Sequence, residues 1–524
     1  DLLSRSADLY EIHRLLGQLH QPHDSAAFAR ATIERMKTDR ESFVGSVKSR
    51  LRIERPTPPR PMLRSVIARA AVLSAALLAF ALLLYVAINA TGKAQPPALS
   101  AQPAPPPKLS VATLVRSARV RWEPDISILE GQRLDTGPLR LGSGNAVLLF
   151  DSGAVVAVKA PAHLHLVSRS ILRVDQGHVT VRAEGDAAGF TVRTPAGEAL
   201  DLGTEFSVLV RLSGSTEVHV QQGEVAWMTD PDAPPTRVLR AGEAARFDKV
   251  DEVKGHPIVF AAQTIDDYVR QFAASLPPIR PTATESFDYP PGSMPLEKGI
   301  GGTGWRSSWR LRQGEELTRE TDTNTDFLIQ PVGLAQNPRA TDSMTPRGGA
   351  LELPPGHSFR VRELSSPIDL SRDAVYYVSF LARRVGAPAP GDKRFPHLRL
   401  TLRRSVDFWG PSVGVGYPGT NHPTLQLYSR DAYVAPLTLK NDTTTLWVLK
   451  IVAHRVQPDE AYLKVFNPGE PLPEFEPAPW SIATDRFPAD GILDLVVVTG
   501  SGPVPHLFDE LRIGSTWDSV IRKD

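Results

Sequence analysis

Apolar residues follow three different rhythms along this 524-residue chain. Near the N-terminus they recur at helical spacing. In DLLSRSADLYEIHRLLGQL, the residues Leu2, Leu9, Ile12, Leu15, Leu16 and Leu19 fall near one face of a helix. Asp24 and Ser25 are placed to cap a second helix carrying Phe28, Ile33, Met36, Phe43 and Val47. Residues 70–88, AAVLSAALLAFALLLYVAI, lose the polar stripe altogether and carry no charge. At 1.5 Å per residue they form a rod of about 28 Å, close to the roughly 30 Å hydrocarbon core of a bilayer. From residue 109 onward the period shortens to two, in short alternating runs separated by glycine and proline, which predicts antiparallel sheet.

These rhythms divide the chain into a cytoplasmic helical segment (1–65), a transmembrane helix (66–90), a Pro/Ala-rich linker (91–108), a β domain (109–250), a connecting segment with a short helix (251–283) and a second β domain (284–524). The fold class expected is therefore mainly β, with a short helical start and one span. Ala70, Leu77, Phe80, Leu84 and Ile88 mark that span, and about 65 residues precede it, too many for the charged start of a signal peptide. Arg50, Arg52, Arg55, Arg60, Arg64 and Arg69 flank its N-terminal side, against Lys93 and Lys108 beyond it. The positive-inside rule then places the N-terminus in the cytoplasm and both β domains outside, with residues 95–107 as an extended spacer. Two short amphipathic helices cannot bury both stripes alone. They read either as a juxtamembrane hairpin or as a surface that docks a cytoplasmic protein.

Composition narrows the chemistry. No cysteine is present, which excludes disulfides, thiol catalysis and Cys-based metal sites. A net charge of +1 offers no general attraction to nucleic acid. His20 and His23 have no cysteine nearby and a single adjacent acid, Asp24, too few ligands for a metal site, so neither metal nor cofactor is expected.

In the first β domain, LRVDQGHVTVRA and VHVQQGEVAWM repeat one device 46 residues apart: a strand meets Gln176-Gly177 or Gln222-Gly223, and a second strand leaves. LLFDSGAVVAV, with Asp151-Ser152-Gly153, is a third such turn. The segment TPAGEALDLGTEFSVLV reads as extended strand holding two carboxylates, Asp201 and Glu205. On one strand they would stand about 13 Å apart, whereas paired glycosidase carboxylates are about 5–9.5 Å apart. Turn-anchoring or edge roles are expected instead.

The same residues carry a resemblance. VRTPAGEALDLGTEFSVLV, then TEVHVQQGEVAW, then RVLRAGEAARFD are similar, in that order, to the FecR protein family. The resemblance implies that Thr194, Pro195, Gly197, Asp201, Gly203, Thr204, Phe206, Gly223 and Gly242 specify that domain's fold. It further implies a single-span regulator of the bacterial inner membrane, whose extracytoplasmic (periplasmic) β domain receives a signal and whose cytoplasmic helices control a sigma factor. Two features depart from the family pattern: no tryptophan precedes Trp122, and the chain continues well past the β domain.

After a predicted helix at 264–278, seven further runs alternate apolar with polar residues, among them AVYYVSFLARRV, FPHLRLTLRR and TLWVLKIVAHRV, as expected of a large antiparallel sandwich. ESFDYPPGSMPLEKGIGGTGW, WVLKIVAHRVQPDEAYLKVFNP and the terminal FDELRIGSTWDSV resemble the concanavalin A/laminin G-like jelly rolls, a superfamily of sugar binders, glycosidases and structural modules. Glu320, Asp322 and Asp326 lie among threonines and Glu474 and Glu476 among prolines, so neither set reads as a hydrolytic pair. Phe327 and Gly333 occupy the positions where a calcium loop needs glycine and glutamate. Asp509 reads as structural. Trp305, Trp309 and Trp447 are expected in the core, while Trp409 and Tyr417 are the ligand-stacking candidates.

The reading is a non-enzymatic membrane regulator that couples an outer glycan or surface protein to an inner partner. The alternative is an anchored glycan-binding or envelope structural protein without signalling. The absence of cysteine makes the topology directly testable: Ser4→Cys and Ser100→Cys variants, probed with membrane-impermeant maleimide on intact spheroplasts, are expected to label only at position 100. The reverse result would invert the orientation.

Overall fold

The structure, a computed structural model, describes residues 110–521 apart from 231–232, 249–255, 262, 276–279, 294–300, 311–326, 337–347, 393, 408–409, 419–420, 428–430 and 488–490. The expected helices of 1–65, the span and the linker therefore lie outside the described residues, as do Trp409, Glu320, Asp322 and Asp326. Among the described residues no helix is long and apolar enough to cross a membrane.

In the first domain the long strands Ser110–Glu123, Gly137–Phe150, Val155–Ser168 and Ile171–Ala183 lie antiparallel, side by side. Their alternation sends Leu148, Phe150, Val156, Val158, Val179 and Val181 into one core. That core is closed by Phe206 and by Trp227, whose indole stacks on Phe247 at 3.9 Å between centroids. The opposite face of the same strands presents Val115, Val147, Leu149 and Ala157 to the helix Ile265–Ser275 through Ile265 and Tyr268. Thr264 and Asp267 cap that helix reciprocally: the Asp267 N–H donates to the Thr264 hydroxyl at 3.1 Å and the Thr264 N–H to the Asp267 carboxylate at 2.9 Å. The segment read as a connector thus covers the back of the sheet.

Three expectations need correction. Gln176-Gly177 does not turn a hairpin but lies inside the single strand Ile171–Ala183. Residues Ile171–Arg173 pair in parallel with Thr191–Arg193, and Gly177–Ala183 pair antiparallel with Thr204–Val210. Gly177, at φ +117°, lets the strand bend between these partners, and a methyl group there would come within 2.7 Å of the Ala162 backbone. Nor is 194–210 one extended run. Thr191–Thr194 and Gly197–Asp201 form a hairpin across Pro195-Ala196, and Gly203, at φ +91°, turns the chain into Thr204–Val210. The hairpin at Asp151-Ser152-Gly153 forms as expected, whereas Gln222-Gly223 turns no hairpin: there the chain passes from Thr216–Gln222, paired with Thr204–Val210 and Ala244–Phe247, to Glu224–Met228, paired with Gly197–Asp201 and Arg237–Arg240.

The second domain is a sandwich of two antiparallel sheets. Among the described residues nine strands build one sheet, in which Ala374–Arg384, Thr444–Ala453, Asp459–Phe466 and His506–Gly514 are central. Six build the other, in the order Gly356–Asp369, Ile492–Gly502, His397–Arg403, Val413–Pro418, Thr424–Leu427, Asp431–Val434. Phe380, Trp447 and Phe508 from the first sheet meet Leu398, Leu400, Val415 and Val498 from the second in a common core.

The two domains are joined by a buried rivet. On the outer face of the nine-stranded sheet, Lys450 is fully buried, and its ammonium contacts the Glu476 carboxylate at 2.7 Å. Tyr377 donates its hydroxyl to the same carboxylate, while the rings of Tyr462 and Trp480 flank the ammonium at 5.1 and 5.7 Å. This pair holds the proline-rich loop from which Phe475 and Ala478 reach Val115, Leu149 and Tyr268 of the first domain. Beside it, Arg116 forms a buried ion pair with Asp518. Gly131 approaches so closely that a side-chain carbon would lie 2.4 Å from the Tyr377 oxygen.

Removing one member of a buried pair leaves the other charge in the core, a loss of about 3–5 kcal/mol. Glu476→Gln is therefore expected to lower the denaturant-unfolding free energy by roughly that amount, and Lys450→Met with Glu476→Gln to recover most of it. Equal losses in the single and double variants would show that packing, not charge pairing, holds the loop.

Candidate functional site

The FecR-like positions converge on one end of the first domain, as a set of interlocked turns. The Thr194 hydroxyl donates to the Gly197 carbonyl at 2.9 Å and accepts from Thr216 at 3.0 Å, closing the hairpin over Pro195. Asp201 accepts from the Gly203 N–H at 3.0 Å and from the Thr204 hydroxyl. Burial raises the Asp201 carboxyl above its usual range, although these hydrogen bonds oppose the rise. Gly203 and Gly223 sit back to back, and the Gly223 carbonyl accepts from Ala241 N–H at 3.0 Å while Gly242 N–H donates to Val220 at 2.8 Å. Phe206 is wholly buried. Glu205 points elsewhere. It accepts from the Ile265 N–H at 2.5 Å and pairs with Arg182 at 3.1 Å, tethering the helix Ile265–Ser275 to the sheet. Asp201 anchors a turn and Glu205 caps a helix, so both carboxylates are engaged in holding the fold.

The other sequence candidates are also absorbed by packing. Trp309 donates its indole N–H to Glu285 at 3.1 Å and Trp447 to Thr445 at 3.0 Å, both fully buried. Trp305 donates to the Thr284 carbonyl at 2.7 Å beneath the Arg362 guanidinium. Tyr417 is not a surface platform: it is 3% exposed, and its hydroxyl lies 2.9 Å from His506 Nδ1, between the two sheets. Asp509 accepts from the Leu334 and Glu510 N–H groups at 2.8 and 2.7 Å, a structural role. Glu476 belongs to the rivet.

A cross-strand arrangement that sequence reading missed lies on the face of the six-stranded sheet turned away from the shared core, and much of it is buried, Thr401 and Thr424 being 4% and 2% exposed. Because Leu398, Leu400 and Leu402 face the core, His397, Arg399 and Thr401 face away from it. One cross-strand row runs Phe359, Thr499, Arg399, Gly416, Thr424, Val434. In the next row Thr401, Gly414 and Gln426 are neighbours. The signal was present as VGVG, glycines alternating with core valines, but it carries meaning only once its neighbours are known. Burial lowers the His397 imidazole to about 4, helped by Arg399, His506 and His357, so the ring is neutral near pH 7.

Comparison with known proteins is informative for one domain. Residues 140–226 match the family described as FecR protein. That stretch contains the motifs from Thr194 to Gly223. No curated protein matches the chain. Solved structures with similarity to it include an endo-β-1,4-glucuronan lyase from the fungus Trichoderma reesei (11% identity, 45% of this chain and 98% of that one, TM-score 0.28). The T. cruzi calreticulin globular domain (14%, 38% and 82%, TM-score 0.25) and lectin II from Ulex europaeus (12%, 36% and 92%, TM-score 0.24) are further examples. Likeness at these TM-scores carries no statement about function.

The interlocked turns make a graded prediction. Gly203, Gly223 and Gly242 all have positive φ, yet only at Gly223 would a methyl group meet backbone, 2.7 Å from the Gly203 oxygen. Gly203→Ala and Gly242→Ala are expected to cost roughly 1–2 kcal/mol each in urea unfolding, and Gly223→Ala distinctly more. Equal losses would mean that the turns do not stack as described.

Proposed function

We propose that this chain is a FecR-type signalling regulator that spans the bacterial inner membrane once, with residues 1–65 in the cytoplasm and both β domains outside. The FecR match at 140–226 is the observation that carries this reading. The joint between the domains supports it physically. Phe475 seated among first-domain residues, the buried Arg116–Asp518 pair and the close approach of Gly131 to Tyr377 make the two domains move together. A ligand held by the second domain, in this reading a concanavalin A-like jelly roll that binds glycan or a surface protein, would then shift the first domain and the helix beneath it as one body. The span passes that displacement, or a change in association, to the cytoplasmic helices, which hold or release a partner; a sigma factor is the partner to test. The role proposed is non-enzymatic, in keeping with the engagement of Asp201, Glu205 and Glu476 in structural contacts.

Affinity capture of the full chain from native membranes, with a variant lacking residues 1–50 beside it, tests the reading. The full chain is expected to enrich a sigma factor and the truncated chain to lose it. If neither enriches any transcription component, the regulator reading fails and the anchored binding protein takes its place.

A further inference from the structure

The charges that meet where the two domains join do not balance. Arg116 of the first domain is paired with Asp518 of the second, and Lys450 is paired with Glu476. A third carboxylate, Glu130, comes from the loop between Ser110–Glu123 and Arg133–Asp135, and among the described residues it has no ion-pair contact. Its Oε1 accepts from the Ser117 N–H at 2.6 Å and from the Ser117 hydroxyl at 3.2 Å, both neutral donors. Glu130 and Glu476, carried by opposite domains, line one small cavity with Arg116, Tyr377, Thr516 and Trp517. Leu129, next in the chain, packs against apolar residues of the second domain. Closing the joint thus takes the Glu130 carboxyl out of water and brings it toward two carboxylates of the other domain.

Each element around Glu130 brings a known group to it. Strand Ser110–Glu123 supplies Arg116 and Ser117, and helix Trp517–Ile521 supplies Asp518. Strand Ala374–Arg384 supplies the Tyr377 hydroxyl, and the proline-rich loop supplies Glu476, with Lys450 of strand Thr444–Ala453 behind it. Arg133, three residues on, is held by Asp151 at 2.6 Å. Two carboxylates and two cations already cancel, so an ionised Glu130 leaves the joint with one negative charge in excess. The Glu130 carboxyl is held above its ordinary value of 4.5, chiefly by burial. Asp518 adds to the rise, while the Ser117 bonds and Arg116 oppose it.

We propose that the joint is a proton-operated coupling: with Glu130 neutral the two domains are locked together, and with Glu130 ionised they part more readily at this cavity. A carboxyl raised by closure gives stability that is complete below 4.5, its ordinary value, and that is lost as pH rises through the higher value of the closed state. Acid tightens the joint, and neutral to alkaline medium loosens it. On the reading of this chain as a regulator, on which this consequence rests, a signal received by the second domain reaches the first most completely in acid surroundings. His454, raised by its bond to Glu460 at 3.0 Å, acts in the same direction, but that pair belongs to the second domain alone.

Because the chain has no cysteine, a single thiol can report on the joint. Leu129→Cys in the full chain, in detergent micelles, is labelled with dithiodipyridine from about pH 5 to about pH 8. Each rate is divided by that of Thr136→Cys, an exposed position of the same domain. The corrected rate is expected to rise by about threefold or more across this range. In chains carrying the same reporter, Glu130→Gln, which keeps an acceptor for Ser117 but not the charge, is expected to abolish the rise. Asp518→Asn frees Arg116 to answer Glu130 and is expected to shrink it, while His454→Gln leaves it intact. A corrected rate that ignores pH, a rise of full size in Glu130→Gln or Asp518→Asn, or loss of the rise in His454→Gln would each overturn the proposal. A chain that captures its cytoplasmic partner but labels alike at every pH overturns only the proton coupling. A chain that responds to pH but captures nothing overturns only the regulator reading.

Discussion

The Lys450 ammonium has no exposed surface, and the carboxylate that answers it comes from a loop 26 residues further along the chain. A charge in such surroundings cannot tolerate separation from its counter-ion, so the loop bearing Glu476 has one acceptable position. From that position Phe475 and Ala478 enter the apolar patch formed by the first domain and its helix. The ion pair itself adds little net stability. Its effect is to exclude other arrangements of the loop, and with them other arrangements of the two domains.

The rest of the joint depends on that placement. Gly131 has room beside Tyr377 only because it lacks a side chain, and Tyr377 is turned toward Glu476 by their hydrogen bond. Arg116 and Asp518, both nearly inaccessible, complete a set of contacts that would be costly to desolvate separately. Around the edge, Glu460 accepts hydrogen bonds from His454 and Tyr462 and adds to the field at Arg133. The tethered face of the sandwich is thus dense in answered charges.

Much of the architecture was legible beforehand because strand alternation and turn chemistry are local. The alternating runs and the hairpin turn at Asp151-Ser152-Gly153 follow from residue type and spacing. The errors share a cause. Gly177 supplies the positive φ of a turn, but whether the chain reverses there or merely bends depends on Ala162 and on two strands later in sequence. Tyr417 has the shape of a ligand platform, but its alternation with Gly416 puts it on the core side, facing His506. The stretch around Glu476 is the loop its prolines suggest, but nothing local reveals that Lys450 lies beneath it.

By itself, then, the order of residues determined the uncharged apolar run of 70–88, the strand alternation that dominates the chain from residue 110 on, and the motifs similar to the FecR family. Each is written in a period or spacing that a short stretch of chain carries alone. Tertiary structure alone decided which carboxylate answers Lys450 and which domain receives Phe475. Those outcomes are set by residues brought together from distant parts of the chain, 116 with 518 and 131 with 377, and by burial, which turns an ordinary charge into one that must find its counter-ion.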